Sequence, residues 1–146
     1  MRDIRLLDAP FAPGALIGPF TNANPGLGGV CTFVGEVRSD TDVEALELTH
    51  YEPLTLPGMH ALADRAFGRF DLMGLLIVHR VGVMHPGEPI VCVSAAALHR
   101  RDAIDAVDFC MDHLKSAAWF WKREKRSGEW HWIEPREQDH SDLARW

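Results

Sequence analysis

Two apolar runs separated by four residues constrain this chain most. Leu75–Met84 and Pro89–Leu98 bracket His85-Pro86-Gly87-Glu88, and Pro-Gly is turn chemistry. The pair predicts a β-hairpin, and its second strand is nearly all apolar. The same hairpin offers an apolar surface on which a second copy of the chain could pair. Its second strand delivers His99-Arg100 straight into an amphipathic helix. Ile104, Val107, Met111 and Leu114 recur at helical spacing there and predict a stripe facing the core. Asp102 predicts the N-cap, and Asp105 complements the positive end of the dipole. Lys115 falls one turn beyond Met111, on the edge of the stripe. A lysine there can lay its stem on apolar surface and send its amine into a pocket.

Charge is distributed unevenly around that helix. Residues 99–126 carry seven Lys/Arg against five Asp/Glu, a local excess of two positive charges in a chain of formal net charge −6. Local positive charge on an acidic protein points to a discrete anionic ligand and away from nucleic acid. The plain alternative is a solvated helix with a snorkelling lysine.

At 146 residues the chain predicts one domain, spanning 1–146, with room for a proper core. No run suits a membrane span, which needs roughly 20 apolar residues, and the start lacks the apolar core of a signal peptide. Cys31, Cys92 and Cys110 are distant from one another and odd in number, which predicts free thiols in a reducing compartment, the cytoplasm. No Cys-x-x-Cys or His-x-x-x-His spacing predicts a metal site.

In chain order, residues 1–27 are punctuated by Pro and Gly and predict only a brief strand near Ile4–Leu7, with room for a turn of helix. Val30–Arg38 is β-rich, with Gly35 inside it marking a bulge or a close approach. Ala45–Tyr51 alternates and predicts the partner strand, so that 28–51 forms an antiparallel pair. Pro57 suits the first turn of a helix ending near Asp71. Trp130–Ile133 is a last short strand after the break at Gly128, and the tail beyond Glu134 is polar. Helices set against hairpins predict an α+β fold with an antiparallel sheet and two main helices.

The motifs exclude several chemistries. Gly26-Leu-Gly-Gly29 lacks the Lys-Ser/Thr of a phosphate loop, and no Gly-x-Ser-x-Gly elbow occurs. Cys110, on an apolar helix face, should be inert. What remains is a set of cations: Arg38, His99, Arg100, Lys115 and Lys122. Arginines grip phosphate or carboxylate in a fork, and a half-buried lysine gives up its proton more readily and can act as base or nucleophile.

These residues also carry a family likeness. The chain resembles the large, catalytic subunit of molybdopterin synthase through Phe33-Val-Gly-Glu-Val-Arg38, Leu46-x-Leu-x-His50-Tyr51, His79-Arg-Val-Gly82, Pro86-Gly-Glu88, Leu98-His-Arg100, Asp112-His-Leu-Lys115, Phe120-Trp-Lys-Arg-Glu124 and Trp130-x-Trp-Ile-Glu134. Together these run over nearly the whole chain from Gly28 on. The resemblance implies an α/β-hammerhead-like fold and a homodimer core of a heterotetramer. Each end would carry a small ubiquitin-like sulfur-carrier subunit with a C-terminal Gly-Gly thiocarboxylate. The substrate implied is cyclic pyranopterin monophosphate, converted to molybdopterin by two sulfur transfers without a cofactor. By motif, Lys115 and Lys122 are the implied catalytic lysines. Arg38, His99 and Arg100 would line the substrate pocket with Phe33 and Met111, and Arg136 would reach it from the other subunit.

Two departures bear on that pocket. Trp119 stands where the family usually has proline, and the turn Ser39–Asp42 is short and acidic. The competing reading from another class is a non-catalytic module whose basic groove holds an anionic peptide tail.

Overall fold

The computed structural model describes residues 1–117 and 119–146. Its elements follow in chain order: β1 (Arg2–Leu7), α1 (Gly14–Ala23), β2 (Gly29–Glu36), β3 (Ala45–His50), α2 (Glu52–Arg69), β4 (Leu72–Arg80), β5 (Gly82–Met84), β6 (Pro89–Ala97), α3 (Arg100–Lys115), β7 (Phe120–Arg126), β8 (Glu129–Ile133) and α4 (Glu137–Leu143). They build two four-stranded sheets, ordered β1-β4-β6-β2 and β5-β3-β7-β8. Among the described residues only the β1–β4 pair is parallel.

Strand periodicity explains the layers. Successive side chains of a strand point to opposite faces. Leu75 and Ile77 of β4, with Val91, Val93 and Ala95 of β6, pack against α2 and α3. Leu76 and Val78, with Cys92 and Ala96, pack against Phe20 of α1. Both faces of these central strands are covered, so both read as continuous apolar runs. Ala103 and Ala106 let α3 lie close on the sheet.

Several expectations need correction. The predicted hairpin forms, but β4 begins at Leu72, and the chain swings at Gly82 (φ +95°) so that Gly82–Met84 joins the second sheet. Its two strands are buried at the centre of the first sheet, so their apolar faces are taken up by the core, while Val83 and Leu98 stay exposed. Residues 28–51 do not form a pair: β2 bonds to β6, and β3 to β5 and β7. Alternation reports which face a strand buries and is silent about its edge partner. Helix α2 starts at Glu52, with proline in its first turn, and Pro57 lies inside it. Helix α3 starts at Arg100 after an extended His99, so Asp102 serves the first turn and is not the cap. Its buried residues are Ala103, Ala106, Val107, Phe109, Cys110, Met111 and Leu114, while Ile104 stays 41% exposed. Helices α1 and α4 go beyond the sequence reading, and α1 tolerates Pro19.

The fold class itself is α+β, as expected. Gly35 marks a register shift in the β2–β6 ladder, and a side chain there would press on Val91 and Phe33. The shift bends β2 just before Arg38.

Candidate active site

Strand β7 sets the first wall of the site. Phe120, Lys122, Glu124 and Arg126 alternate onto one face and all line a single cavity of about 720 Å³. The other face of β7 is occupied differently: Arg123 donates to Glu47 at 2.6 Å and lies over Trp130, 4.5 Å from its ring centre. Ser127-Gly128, both at positive φ, close the β7–β8 hairpin and hold that register. Facing Lys122, the last turn of α3 contributes Met111, Leu114 and Lys115, three and four residues apart on one helix face. Phe33 of β2 and Arg38 just beyond its end join them, with Arg136 before α4 and Asp139 in its first turn.

Its composition is that of a small-molecule site. Leu46, Leu48, Ile90, Val91, Met111 and Leu114 make the surface apolar, and the volume is in the usual range for such sites. Around them stand the cations Arg38, Lys115, Lys122, Arg126 and Arg136.

Most of these cations are tethered. Lys122 Nζ lies 3.6 Å from Glu124, whose other oxygen takes a 2.6 Å bond from Arg126. The short acidic turn does the same at the rim, with Asp40 3.7 Å from Arg38 and Asp42 3.8 Å from Arg126. Arg136 donates to Asp139 at 3.2 Å. Lys115 makes no ion pair among the described residues. Solvent reaches its side chain, yet protein atoms crowd its amine. That crowding lowers its pKa, followed by the charges of Lys122, Arg136 and Arg38, while Asp139 pulls the other way. A more accessible amine pKa is what a proton shuttle requires.

His79 lines the same cavity and was not singled out for the site by the sequence. Its Nδ1–H donates to the Arg80 carbonyl at 2.9 Å, and burial lowers its pKa to about 4, so it is neutral. Asp139 and Arg126 were missed as well. A lone charge after a poorly patterned tail carries no signal, although the period-two run from Lys122 to Arg126 could have given Arg126.

Of the residues proposed from the sequence, Phe33, Arg38, Met111, Lys115, Lys122 and Arg136 meet in this cavity, and Arg136, expected from the other subunit, reaches it within the same chain. His99 and Arg100 do not. They sit at the opposite end of α3, about 22 Å away for a helix of this length. Trp119 packs its indole onto α2 at Gly58. A smaller cavity of about 250 Å³ lies beside it, between α2, α3 and α4. Its one cation, Arg65, is already bonded to His113 at 2.9 Å.

The fold and the cavity define an α+β protein with an apolar-walled cavity ringed by cations, two of them lysines. Comparison with known proteins makes this specific. The family model described as MoaE protein matches residues 6–117. A molybdopterin synthase catalytic subunit from Caulobacter vibrioides is 44% identical over 98% of this chain and 96% of that protein. The structure of a molybdopterin biosynthesis MoaE protein from Burkholderia ambifaria superposes with a TM-score of 0.84 at 38% identity, covering 100% of this chain and 98% of that one. A Helicobacter pylori structure, described as a complex of subunits 1 and 2 of molybdopterin-converting factor, shares the fold, with a TM-score of 0.77 at 18% identity over 91% of each chain. The chain belongs to the MoaE protein family. It is an enzyme of the molybdopterin synthase kind.

Proposed function

We propose that this chain converts cyclic pyranopterin monophosphate to molybdopterin, taking sulfur from the C-terminal thiocarboxylate of a small ubiquitin-like carrier. The observation that carries the reading is the convergence of Lys115, Lys122, Arg38 and Arg136 on one apolar-walled cavity. The chain has only three lysines, and two of them are there. The substrate is a phosphate ester and the carrier tail is an anion. Two negative charges must therefore share one pocket, and surrounding cations offset their repulsion.

The chemistry follows from the two lysines being unalike. The thiocarboxylate sulfur attacks a substrate carbon and forms the new carbon–sulfur bond. The oxygen it displaces leaves with a proton, and water then cuts the acyl–sulfur bond so that the carrier departs as a carboxylate. Lys122, paired with Glu124, sits beside the negative charge that develops on the displaced oxygen. Lys115, with its lowered pKa, gives and takes the proton. A second carrier repeats the transfer and completes the dithiolene.

A homodimer accounts for His99 and Arg100. Strand β2 is an edge of its sheet, with Val30 and Phe33 exposed, and Leu98 and Ile104 are exposed near its start. Gly29 at the start of β2 lies against Arg100, and Arg38 follows the end of that strand. A two-fold axis through the middle of β2 would set two such strands antiparallel. Each Arg100 would then face the Arg38 end of the other protomer. In this arrangement His99 and Arg100 cross to the neighbouring site while Arg136 serves its own.

The test is molybdopterin formation by purified Lys115→Arg with thiocarboxylated carrier, alongside circular dichroism to show that the fold survives. Arginine keeps the charge and cannot exchange the proton. Turnover should fall by a factor on the order of 10²–10⁴. Activity close to wild type would overturn the role of Lys115 and leave Lys122 as the proton carrier.

A further inference from the structure

Asp139 is a buried carboxylate at the cavity wall, and its position is determined from three sides. Its Oδ2 accepts the backbone N–H of Arg136 at 3.1 Å, closing the first turn of α4. Its Oδ1 accepts from the Arg136 guanidinium at 3.2 Å. Its backbone carbonyl accepts from Ser116 Oγ at 3.3 Å, and Ser116 is the residue directly after Lys115. The turn that carries Arg136 is thus latched to the end of α3 that carries Lys115.

We propose that Asp139 is the positioning residue of this cavity: it fixes Arg136 at the rim and supplies the negative charge that balances the cations around Lys115. Those cations come from three elements: Lys122 on β7, Arg136 entering α4, and Arg38 beyond β2. His79 on β4 is neutral, Glu124 on β7 is taken up by Lys122 and Arg126, and Glu36 and Glu134 line the same cavity. Unbalanced, the cations would leave Lys115 a weak base, whereas a group that must both give and take a proton works best with a pKa near the working pH. The functional consequence rests on Lys115 being the amine of the proposed transfer; the charge balance does not.

With three lysines in the chain, reductive ¹³C-methylation of the whole protein yields few lysine signals, and Lys115→Arg assigns the one of interest. Titration by NMR then reads the Lys115 midpoint directly, with neither carrier nor pterin present. In Asp139→Asn, where the amide can still accept the backbone N–H, the midpoint moves to lower pH. In Asp139→Glu, which keeps the charge, it returns toward wild type. In Arg136→Gln it moves to higher pH, because a cation is lost and Asp139 is released toward Lys115. The Arg136 side chain is 70% exposed, so that variant reports even if Asp139→Asn frays α4. Midpoints unchanged in both Asp139→Asn and Arg136→Gln overturn the proposal. The acid limb of turnover in the same variants should follow the midpoint. If the midpoint moves and the acid limb stays, the charge balance holds and the reading of Lys115 as the transfer amine fails. A purely structural role would lower activity without moving either one.

Discussion

His79 and Phe120 stack face to face, their ring centroids 4.2 Å apart and their planes 17° from parallel. His79 is near the end of β4 and Phe120 opens β7, so this stack joins the two sheets at the wall of the cavity. The imidazole is buried with its Nδ1–H already given to Arg80. It is therefore a fixed, neutral part of the wall.

That neutrality makes stability depend on pH. The unfolded chain binds a proton at His79 near 6.5, and the folded chain does so only at about 4. Stability is complete above this window and falls as pH drops through it, by about 3 kcal/mol. His113, whose pKa burial also lowers, adds in the same direction. In urea unfolding between pH 7 and 4, His79→Gln should show a flatter loss than wild type. Equal slopes would show that His79 does not stay neutral.

The proposed dimer makes a prediction about mixed variants. Lys115→Ala and Arg100→Ala should each be nearly inactive alone. If Arg100 crosses the interface, unfolding and refolding them together restores one intact site in each mixed dimer, about a quarter of wild-type turnover for random pairing. Lys115→Ala with Arg136→Ala should restore nothing, since both belong to one cavity. Recovery with Arg136→Ala and none with Arg100→Ala would reverse the assignment.

The phosphate binding expected of Arg38 and Arg100 is separately measurable. Loss of one charge-assisted contact costs about 1.5–3 kcal/mol. Arg38→Ala should thus weaken precursor binding by roughly 10- to 150-fold in calorimetry. An unchanged Kd would place the phosphate elsewhere in the cavity.

Gly58 and Trp119 are coupled. A methyl group at Gly58 would land on the Trp119 indole. Gly58→Ala should destabilise by about 1–3 kcal/mol through overpacking, against a helix propensity that favours alanine by about 1 kcal/mol. With Trp119→Leu in place, the same change should become neutral or stabilising. A destabilisation equal in both backgrounds would show that the indole is not the obstacle.

Breaking the Arg80–Glu88 pair should be costly. Arg80 is buried, its Nη1 lies 3.3 Å from Glu88, and its Nε has no partner among the described residues. Removing the carboxylate leaves the buried Arg80 charge without its counterion, so the melting temperature should fall. Thermal unfolding of Glu88→Gln reads this directly, and an unchanged Tm would mean that Arg80 is held by Val83 alone.

The sequence by itself determined the elements whose signal is local. The two apolar strands, the helix ending at Lys115, the bulge at Gly35 and the break at Gly128 all follow from periodicity or backbone chemistry, which neighbours along the chain decide. Motif order likewise determined the family and six residues that meet in the cavity. Pairing was decided only in three dimensions. Whether β2 bonds to β3 or to β6 depends on which edges lie open after the helices pack, and an alternating strand carries no label for its partner. The exposure of Ile104 was set the same way, by the angle at which Ala103 and Ala106 let α3 approach the sheet. The separation of His99 and Arg100 from Lys115 has the plainest cause. A helix holds its ends a fixed distance apart, so residues that read as one cluster along the chain stand at opposite ends of a rod. The charge balance at Lys115 was decided by Asp139, brought 24 residues along the chain by a helix that the polar tail did not announce.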